Sequence, residues 1–488
     1  MDADVDRSYI NMKKKQEKLK TILQENQYMI PSYELYGGLS GYQDYGILGC
    51  IIKNKLVNTL RKFFITNDEI FEVESPIVVP YDVLKASGHV DRFTDFIVYD
   101  NNGICYRADH LLKDWFKNND MKYLVDTVDS WDQETLEFNI NKYKIIKGIY
   151  NEKTNTYFPV KVEKKNLMFE ITSLNKNKMD FLRPEIAQCI FVNFKQYQQF
   201  LQKEPPFGIA QIGNSFRKEI SPKQFLRLRS FSQFELEYFV DPLNKIHSDY
   251  DKLKNLIIPL LTSKMQIDNM TLINIPLKDA VDNKLIDHEL MAFFLGKIYQ
   301  FALYIGLKPN YIRFRQHMDN EKAHYALLCW DLETFVNGDW LECVGCADRG
   351  SYDIEAHEKY LNTSIKAKRY LEEPILSKKL IAILDMKLLG QKYKAYSTII
   401  SKYFNELSQE QLIEIKEKEI ININIENKIY IFTKDEIKIE EEIKNIYLEE
   451  YYPKDCVFSL RSIWMANIQI YLFMILFAFF LLSVNDKG

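Results

Sequence analysis

The sequence has few cysteines for its length and no grouping of them that would form a disulfide framework. Its 488 residues contain 7 cysteines, an odd number spread along the chain. This usage is typical of a reducing compartment and argues against a secreted, disulfide-stabilised domain. We therefore expect a cytoplasmic protein, with the mitochondrion as the alternative.

Metal and cofactor motifs are also scarce. One CxxC pair, Cys343 and Cys346, could supply half of a zinc site, but no second CxxC or nearby histidine pair completes a tetrahedral set. We expect two ordinary buried thiols and assign no metal ligand. The sequence contains no Ser/His/Asp set, P-loop or dinucleotide fingerprint, which argues against those catalytic and nucleotide-binding classes.

Targeting and membrane segments are largely missing. Residues 1–27 are charged throughout, lack the apolar run of a secretory signal and carry too many acidic residues for a transit peptide. We predict a charged, solvated helix over residues 1–32. The apolar run at 470–484 is shorter than the roughly 20 residues that a spanning helix needs, so membrane contact there is an alternative only.

A large excess of one charge is absent as well. The net charge is -4 and the pI is about 6.1, so contact with RNA would depend on local basic patches. The length implies two or three folded units, and 47% hydrophobic residues supply their cores. The basic patch nearest to the motifs described below comprises Lys218, Lys223, Arg227 and Arg229.

The most informative segment that is present runs from 211 to 242. Residues 210–219 and 225–240 each alternate between apolar and polar side chains, which predicts a long antiparallel hairpin. A solvated sheet edge is the alternative explanation, because a buried charge needs a partner. The hairpin would bring together Arg217, Glu219, Arg227 and Glu235.

Two words in this hairpin, GNSFRKEISP and FELEYFVDP, resemble motif 2 of class II aminoacyl-tRNA synthetases, in the form found in eukaryotic-type glycyl-tRNA synthetases. Further matching words occur in the order of that family, and such a run exceeds a chance motif hit. They are YELYGGLSGYQDYGILGC at 33–50, KASGHVDRFTDFIV at 85–98, YRADHLL at 106–112, LMFEITS and LRPEIAQ within 167–188, RFRQHMDNEKAHYA at 313–326, and WLECVGCADRGSYD at 340–353.

The resemblance implies an α+β fold, namely the class II antiparallel sheet flanked by helices, with helical and mixed insertions. It also implies a homodimer, because motif 1 forms the dimer interface of the class, and residues 71–80 would lie near the twofold axis. The predicted domains are a charged N-terminal helix at 1–32, a catalytic core with motif 1 at 33–110, an insertion at 111–165, a catalytic core with motif 2 at 166–360, a second insertion at 361–450, and a divergent apolar tail at 451–488.

The activity that the resemblance implies is that of a glycine–tRNA ligase. Members of the family form glycyl-adenylate from glycine and ATP with Mg²⁺, transfer glycine to tRNA(Gly), and can also make diadenosine tetraphosphate. Activation of an amino acid needs cations for the phosphates of ATP and carboxylates for the substrate amine. The expected ligands and partners are therefore glycine, ATP, Mg²⁺ and tRNA(Gly).

The resemblance also implies roles for individual residues. Arg217 would be the catalytic arginine that grips the α-phosphate and the amino-acid carboxylate, as a planar fork should. Glu219 would contact adenine, and Leu228 would contact ATP through its backbone. The complete implied ATP-binding set is Arg217, Lys218, Glu219, Arg227, Leu228, Glu342 and Cys343.

Two acidic residues, Glu185 and Glu235, would bind the substrate amine. Because glycine has no side chain, selectivity must come from the ammonium group and from the lack of space near the α-carbon. The alternative for Glu185 and Glu342 is a helix-capping or salt-bridging acid. A lone histidine in a loop is more often structural, so His89 in the word Ser87-Gly88-His89 receives no catalytic role.

The chain departs from the family after Pro453. There the family continues with motif 3, whose arginine holds the γ-phosphate of ATP, and with an anticodon-binding domain. A frameshift in the gene sequence is one explanation. Codons for residues 458–465, when read two bases out of frame, can encode Gln-Pro-Ser-Phe-Asp-Leu-Asp, which is close to motif 3. An unbroken reading frame in the transcript would contradict this explanation. The alternative functions are an impaired paralogue that binds nucleotide, tRNA or a partner, tail-anchored at a membrane, and a scaffold without a ligand.

Overall fold

The computed structural model describes most of the chain between residues 20 and 460. The described residues are 20–65, 69–119, 121, 124–125, 127–128, 131–148, 150–151, 156–172, 179–268, 270–319, 321–322, 326–336, 339–418, 420–425 and 428–460. The predicted N-terminal helix is helical at residues 20–25, and its residues 1–19 lie outside this set. The apolar run at 470–484 also lies outside it. Within the described part, no helix is both long and apolar enough to cross a bilayer.

A nine-stranded sheet forms the centre of the larger of two compact units. Its strands are β1 Ile70–Val73, β2 Phe207–Phe216, β3 Ser230–Val240, β4 Ile257–Leu261, β5 Ile273–Pro276, β6 Ile312–Gln316, β7 Leu328–Val336, β8 Asp339–Gly350 and β9 Lys454–Leu460. Their spatial order is β5-β4-β6-β7-β8-β9-β3-β2-β1, and only β4 with β6 and β2 with β1 run parallel. This mainly antiparallel sheet with helices packed on it confirms the predicted α+β class.

Alternation along the strands separates a core face from a polar face. In β3, Phe234, Leu236 and Tyr238 belong to the main hydrophobic core. Because successive side chains of a strand point to opposite sides, Glu235 and Glu237 between them face the other way. The burial of apolar side chains on the core face is the main stabilising contribution to this layer.

One long helix, Glu289–Tyr304, covers the core face of the sheet. Its sequence is apolar on nearly all sides, as expected for a helix buried within a core. His288 caps its N-terminus by accepting a hydrogen bond from the Met291 amide at 3.1 Å. Gly296 packs closely against Leu277, since a Cβ there would lie 2.7 Å from Leu277 Cδ1 and would force that methyl group to move.

The remaining elements of this unit surround the sheet. Its other helices are Ile47–Leu60, Tyr81–Ala86, His89–Arg92, Ala108–Asn118, Gln133–Lys142, Gln188–Val192, Phe194–Leu201, Tyr250–Leu253, Ser263–Ile267, Leu277–Asp282 and Tyr352–Leu361. Its other strands are Met29–Pro31, Gln43–Tyr45, Val78–Pro80, Thr94–Tyr99, Cys105–Arg107, Tyr150–Asn151, Thr156–Tyr157, Glu163–Asn166, Phe169–Thr172 and Met179–Leu182.

The second compact unit comprises residues 368–451, which overlaps the insertion predicted at 361–450. It has a separate hydrophobic core that includes Leu389, Ile400, Phe404 and Phe432. The predicted domain bounds stay a prediction. The elements of this part of the chain are the strands Ala367–Leu384, Ile420–Ile425, Lys428–Thr433 and Ile437–Tyr451 and the helices Met386–Tyr393, Ser397–Asn405 and Gln409–Lys416.

The predicted hairpin exists, but its strands are shorter than the alternation suggested. β2 ends at Phe216 and β3 begins at Ser230, so Arg217, Glu219 and Arg227 lie in the connecting loop and not on the strands. Phe225 in this loop has φ of 64°, a conformation that a continuing strand excludes. The prediction that the strands reach 219 and 225 was therefore wrong.

Residues 454–460, which the sequence analysis assigned to the divergent tail, form the strand β9. This strand lies between β3 and β8, with Ser459 in register with Glu235 on one side and with Gly345 on the other. The beginning of the predicted tail is therefore an interior strand of the sheet. Residues 461–488 of that tail lie outside the described residues.

Candidate active site

Charged side chains are concentrated on the face of the sheet opposite the hydrophobic core. Glu235 and Glu237 of β3 are only 3% and 0% exposed, although they are acidic. β3 lies between β9 and β2, so it is an interior strand. The alternative of a solvated sheet edge is therefore wrong, and these acids require polar partners within the protein.

Arg217 lies at the start of the loop that joins β2 to β3. Its guanidinium carbon is 5.1 Å from the centroid of the Phe93 ring and 5.4 Å from that of Phe231. Its Nε donates to the carbonyl oxygen of Pro184 at 2.9 Å, which ties it to the residue before Glu185. The two rings and this hydrogen bond fix the guanidinium plane, a geometry suited to a planar or tetrahedral anion.

The same loop is closed by an ion pair and a short backbone ladder. Arg227 Nε lies 3.7 Å from Glu219 Oε2, and Arg227 exchanges backbone hydrogen bonds of 2.8 and 3.0 Å with Lys223. Leu228 is buried in a small apolar cluster with Phe225 and neighbours, so a ligand can reach Leu228 only through its main chain. Glu219 and Arg227 thus lie together, as the sequence pattern predicted.

Lys218 lies against a different strand, Phe169–Thr172. Its backbone amide donates to the carbonyl oxygen of Leu167 at 2.6 Å, and its Nζ lies 3.7 Å from Glu170 Oε1 and 5.9 Å from the Phe169 ring centroid. Both members of the Lys218–Glu170 pair are substantially exposed, so the pair contributes little to stability. Its predicted contact with ATP stays a prediction.

A cluster from the segment 94–110 lies near the Glu219–Arg227 pair. Arg107 forms ion pairs with Asp109 at 2.6 Å and with Asp95 at 3.2 Å. Burial, aided by the charge of Arg107, lowers the pKa of His110 to about 4. Burial raises the pKa of Asp95 against the opposing charge of Arg107. The sequence analysis gave this segment no role.

Glu235 is held by hydrogen bonds from two directions. Its Oε2 accepts from the backbone amide of Ile186 at 3.0 Å, and its Oε1 accepts from Nε2 of Gln233. The oxygen of Gln233 in turn accepts from the Ser215 hydroxyl at 2.7 Å. Because Ile186 follows Glu185, the first of these contacts places the Glu235 carboxylate against the backbone next to Glu185.

Glu185 is buried and both of its oxygens have partners. His89 Nε2 lies 3.4 Å from Oε2, and Gln188 Nε2 donates to Oε1 at 2.9 Å. Burial alone would raise the pKa of Glu185, but His89, Arg349 and the Gln188 hydrogen bond together hold it well below its ordinary value. The carboxylate is therefore ionised in the folded protein. The sequence analysis had not assigned a role to His89.

A second acidic cluster lies around Glu342 on β7 and β8. Glu342 is exposed. Burial, aided by the charge of Glu342, raises the pKa of Asp331 to about 6. His317 Nε2 and Asp331 Oδ2 are 2.6 Å apart, and Arg315 Nη2 approaches the same oxygen at 3.6 Å. Possible ligand atoms of His317, Cys329 and Asp331 lie within 4.8 Å of one another. The cluster combines surplus negative charge with hard oxygen donors.

Cys343 and Cys346 are free buried thiols, as expected. Both side chains belong to the main hydrophobic core, whereas Glu342 is exposed. The side chain of Cys343 therefore does not line the face that carries Glu342, and a contact with ATP would have to use its main chain. The implied contact of Cys343 with ATP stays a prediction.

The predicted site residues thus form neighbouring groups within one unit. Pro184, Glu185 and Ile186 connect Arg217 to Glu235, and Glu219 pairs with Arg227. Sequence reasoning missed the buried polar partners of Glu185, since their contacts join positions far apart in the chain. These partners are His89, Gln188 and Arg349, and Asp353 in turn binds Gln188 and Arg349.

No protein-family model matches the chain. The chain is 37% identical to the glycine–tRNA ligase of Methanocaldococcus jannaschii over 451 residues, which covers 90% of this chain and 76% of that protein. It is 34% identical to glycine–tRNA ligase 2 of Saccharomyces cerevisiae over 460 residues, with 90% and 73% covered. The Drosophila melanogaster glycine–tRNA ligase is 34% identical over 460 residues, and the chain spans 59% of its length.

Solved structures with similarity include two prolyl-tRNA synthetases. The Cryptosporidium parvum enzyme complexed with L-proline and AMP has a TM-score of 0.42 at 9% identity, with 92% of this chain and 50% of that chain covered. The Giardia lamblia enzyme in complex with prolyl-adenylate has a TM-score of 0.42 at 9% identity, with 94% and 52% covered. This chain spans about half the length of those two chains.

Proposed function

The chain belongs to the glycine–tRNA ligase family, and from that membership we propose that it activates glycine with ATP and transfers it to tRNA(Gly). The observation that carries the proposal is the identity of 37% over 451 residues with an archaeal glycine–tRNA ligase, spread over 90% of the chain. The reaction joins the glycine carboxylate to the α-phosphorus of ATP and expels pyrophosphate. The adenylate then gives its glycyl group to a terminal hydroxyl of the tRNA and releases AMP.

Arg217 is the group best suited to the phosphoryl transfer. Its guanidinium plane is held between two aromatic rings and by the Pro184 carbonyl. A fixed cation beside the α-phosphate stabilises the charge that develops in the transition state, without the cost of reorganising solvent. In this role Arg217 would also neutralise the glycine carboxylate during its attack.

Glu185 and Glu235 are the groups suited to the substrate amine. Both are ionisable acids in a buried setting, and the Ile186 amide that bonds to Glu235 directly follows Glu185. An ammonium group placed between two carboxylates gains charge-assisted hydrogen bonds. Because both acids are buried and hydrogen-bonded, their positions support selectivity for glycine, the smallest amino acid.

The Glu219–Arg227 pair supports a place for the adenine ring in the loop after β2. Arg227 Nε lies 3.7 Å from Glu219 Oε2. In the proposed arrangement Glu219 would accept a hydrogen bond from the exocyclic amine of adenine, and the flat guanidinium of Arg227 would stack on the ring. The main chain at Leu228 would contribute a backbone hydrogen bond. These assignments, like that of Lys218, rest on the resemblance of the motif 2 words.

Mg²⁺ is expected to accompany ATP, and the exposed carboxylate of Glu342 fits it. Mg²⁺ prefers hard oxygen ligands and retains water while binding one or two carboxylates and the phosphates. Burial raises the pKa of Asp331, and the charge of Glu342 adds to this effect, so a cation bound at Glu342 would relieve part of the repulsion between the two carboxylates. When bound, the ion would neutralise phosphate oxygens during displacement.

A side reaction follows from the same intermediate. If a second ATP replaces tRNA, its γ-phosphate oxygen attacks the adenylate phosphorus, and glycine leaves. The product is diadenosine tetraphosphate. We include this synthesis in the proposal as chemistry that the same site would support.

We propose in addition that the protein is a cytoplasmic homodimer. Exposed apolar side chains lie on two segments that the strand pair Met29–Pro31 and Gln43–Tyr45 brings side by side, and exposed apolar patches of this kind mark interfaces. A Leu35→Asp/Ile47→Asp double variant should shift the mass in light scattering from dimer to monomer, and a monomeric wild type would contradict the proposal. The exposed residues are Tyr33, Leu35, Tyr36, Leu39, Ile47, Leu48 and Ile51.

The direct test of the complete function is aminoacylation of tRNA(Gly) by the purified chain. Radiolabelled glycine should become acid-precipitable with tRNA(Gly) and ATP, and alanine and serine should not. Binding of ATP without any charging would favour an impaired paralogue. Absence of both binding and charging would overturn the proposal.

A further inference from the structure

Ser87, His89 and Glu185 form a buried chain of hydrogen-bonding groups next to the proposed amine site. Ser87 Oγ and His89 Nδ1 are 2.8 Å apart, and His89 Nε2 lies 3.4 Å from Glu185 Oε2. Ser87 is 1% exposed and His89 4% exposed. A histidine with both ring nitrogens engaged has a fixed ring orientation.

The contacts also determine which nitrogen of His89 carries hydrogen. Nε2 faces a carboxylate, so it must donate, because a lone pair there would repel the charge. Ser87 can satisfy Nδ1 in either state, since its hydroxyl can donate to Nδ1 or accept from it. When Ser87 accepts, its own hydrogen can go to the carbonyl oxygen of Leu84, 3.3 Å away. In both arrangements His89 directs an N–H at Glu185.

The other oxygen of Glu185 is fixed from the opposite side. Gln188 Nε2 donates to Glu185 Oε1 and to Asp353 Oδ1, both at 2.9 Å. His357 Nε2 lies 3.0 Å from the Gln188 oxygen, and this contact fixes the amide orientation. Asp353 is itself held by Arg349 through hydrogen bonds of 2.7 and 2.9 Å. Both oxygens of Glu185 therefore contact side chains whose own positions are fixed by further hydrogen bonds.

We propose that His89 is a positioning residue for glycine recognition, holding Glu185 ionised and aimed at the substrate ammonium group, with Ser87 fixing the ring of His89. This inference rests on the proposed function, because it assigns a task within the same site. His89 does not contact the reacting atoms in this arrangement. His89 acts through Glu185, so its removal should weaken the binding of glycine and leave the binding of ATP largely unchanged.

The perturbation is His89→Leu, with His89→Gln as the conservative variant. Leucine fills a similar volume but cannot donate, whereas glutamine can place an N–H near the position of Nε2. His247→Leu is the matched control, because His247 is another buried histidine that lies 3.7 Å from a glutamate, Glu69. His247 stacks on Phe293 in the core region and has no contact with Glu185 among the described residues.

The expected result is a split between the two substrates in pyrophosphate exchange. Loss of a hydrogen bond to a charged group should raise the KM for glycine by about 10- to 100-fold in His89→Leu. The KM for ATP should change by less than about 3-fold, and His89→Gln should recover most of the glycine affinity. His247→Leu should lower thermal stability without changing the KM for glycine.

The pH dependence of kcat/KM for glycine gives a second test, because it would not change if His89 were purely structural. His89 lowers the pKa of Glu185, so without His89 this acid protonates at a higher pH. The acid limb of kcat/KM for glycine should therefore shift upward in His89→Leu and stay in place in His247→Leu. The other charged or titratable groups that face Glu185 are Arg349, Asp353 and His357, with Glu235 reached through the Ile186 amide.

The two levels of the account fail in different ways. A wild type without glycine-dependent exchange overturns the proposed function. An active wild type with an unchanged KM for glycine and an unshifted acid limb in His89→Leu overturns the role of His89. If His89→Leu does not fold, Ser87→Ala carries the test, and a wild-type KM for glycine together with an unshifted acid limb in Ser87→Ala would overturn the role of His89.

Discussion

Replacement of Glu235 by glutamine tests the amine site with the least change in shape. Glu235 is only 3% exposed and accepts hydrogen bonds from the Ile186 amide and from Gln233. Glutamine has one oxygen, so one of these donors would face an amide NH₂ group. The side chain would also lose the charge that, in the proposed role of Glu235, attracts the ammonium group of glycine.

The magnitude follows from the bonds involved. A hydrogen bond to a charged group contributes about 1.5–3 kcal/mol, which corresponds to roughly 10- to 150-fold in affinity. We expect the KM for glycine to rise by that factor in Glu235→Gln. The free energy of unfolding should fall by no more than about 1.5 kcal/mol, because the buried charge that is lost was itself costly.

Glu237→Gln is the matched control for this experiment. Glu237 lies on the same strand and the same face, is fully buried, and is about 6.6 Å further along the strand. Its replacement should change stability but leave the KM for glycine within about 3-fold of the wild-type value. The KM for glycine of both variants is measured by glycine-dependent pyrophosphate exchange. An unchanged KM in Glu235→Gln would refute the assignment of Glu235 to the amine.

Three further predictions address the phosphate site, the packing and the pH dependence. Arg217→Lys should lower kcat/KM for ATP by about 100-fold or more, because lysine cannot bind in a bidentate, stacked manner, and a change below 3-fold in exchange kinetics would contradict this. Gly213→Ala should lower the free energy of unfolding by about 1–3 kcal/mol, since its Cβ would lie 2.2 Å from Arg183 Nη2, whereas Gly345→Ala meets only ordinary contact at 3.7 Å and should be tolerated; equal denaturation midpoints would be inconsistent with this packing. Burial would raise the folded-state pKa of Asp348, but hydrogen bonds from His288 and Lys245 hold it well below its ordinary value. The stabilisation by Asp348 is therefore present above its unfolded pKa and lost as pH falls. Asp348→Asn should flatten the dependence of the melting temperature on pH below about 4, and an unchanged slope would count against this.

The fold could be predicted where sequence pattern and burial coincide. The alternation in 230–240 identified β3 correctly, because Phe234 and Leu236 face the core while Glu235 faces the site. The same alternation predicted strands that extend further into the connecting loop than β2 and β3 do. Local pattern continues through Arg217 and Arg227, but the chain leaves the sheet there to form the loop between β2 and β3.

The site could be predicted residue by residue only where a motif carried it. Nothing in the spacing of His89, Gln188 and Arg349 indicates that they meet around Glu185, because the contacts are created by the packing of separate helices and strands. The burial of Cys343 was expected from its residue type alone, because free thiols are among the most buried side chains. Strand β9 was not predicted, because its sequence matched no word of the family.

The measurement that tests the central claim most directly is amino-acid-dependent exchange of radiolabelled pyrophosphate into ATP by the purified full chain. It isolates activation from transfer, so it does not depend on the quality of the tRNA. The account predicts exchange with glycine and none above background with alanine or serine. Exchange that is absent with glycine, or equal with all three amino acids, would contradict it.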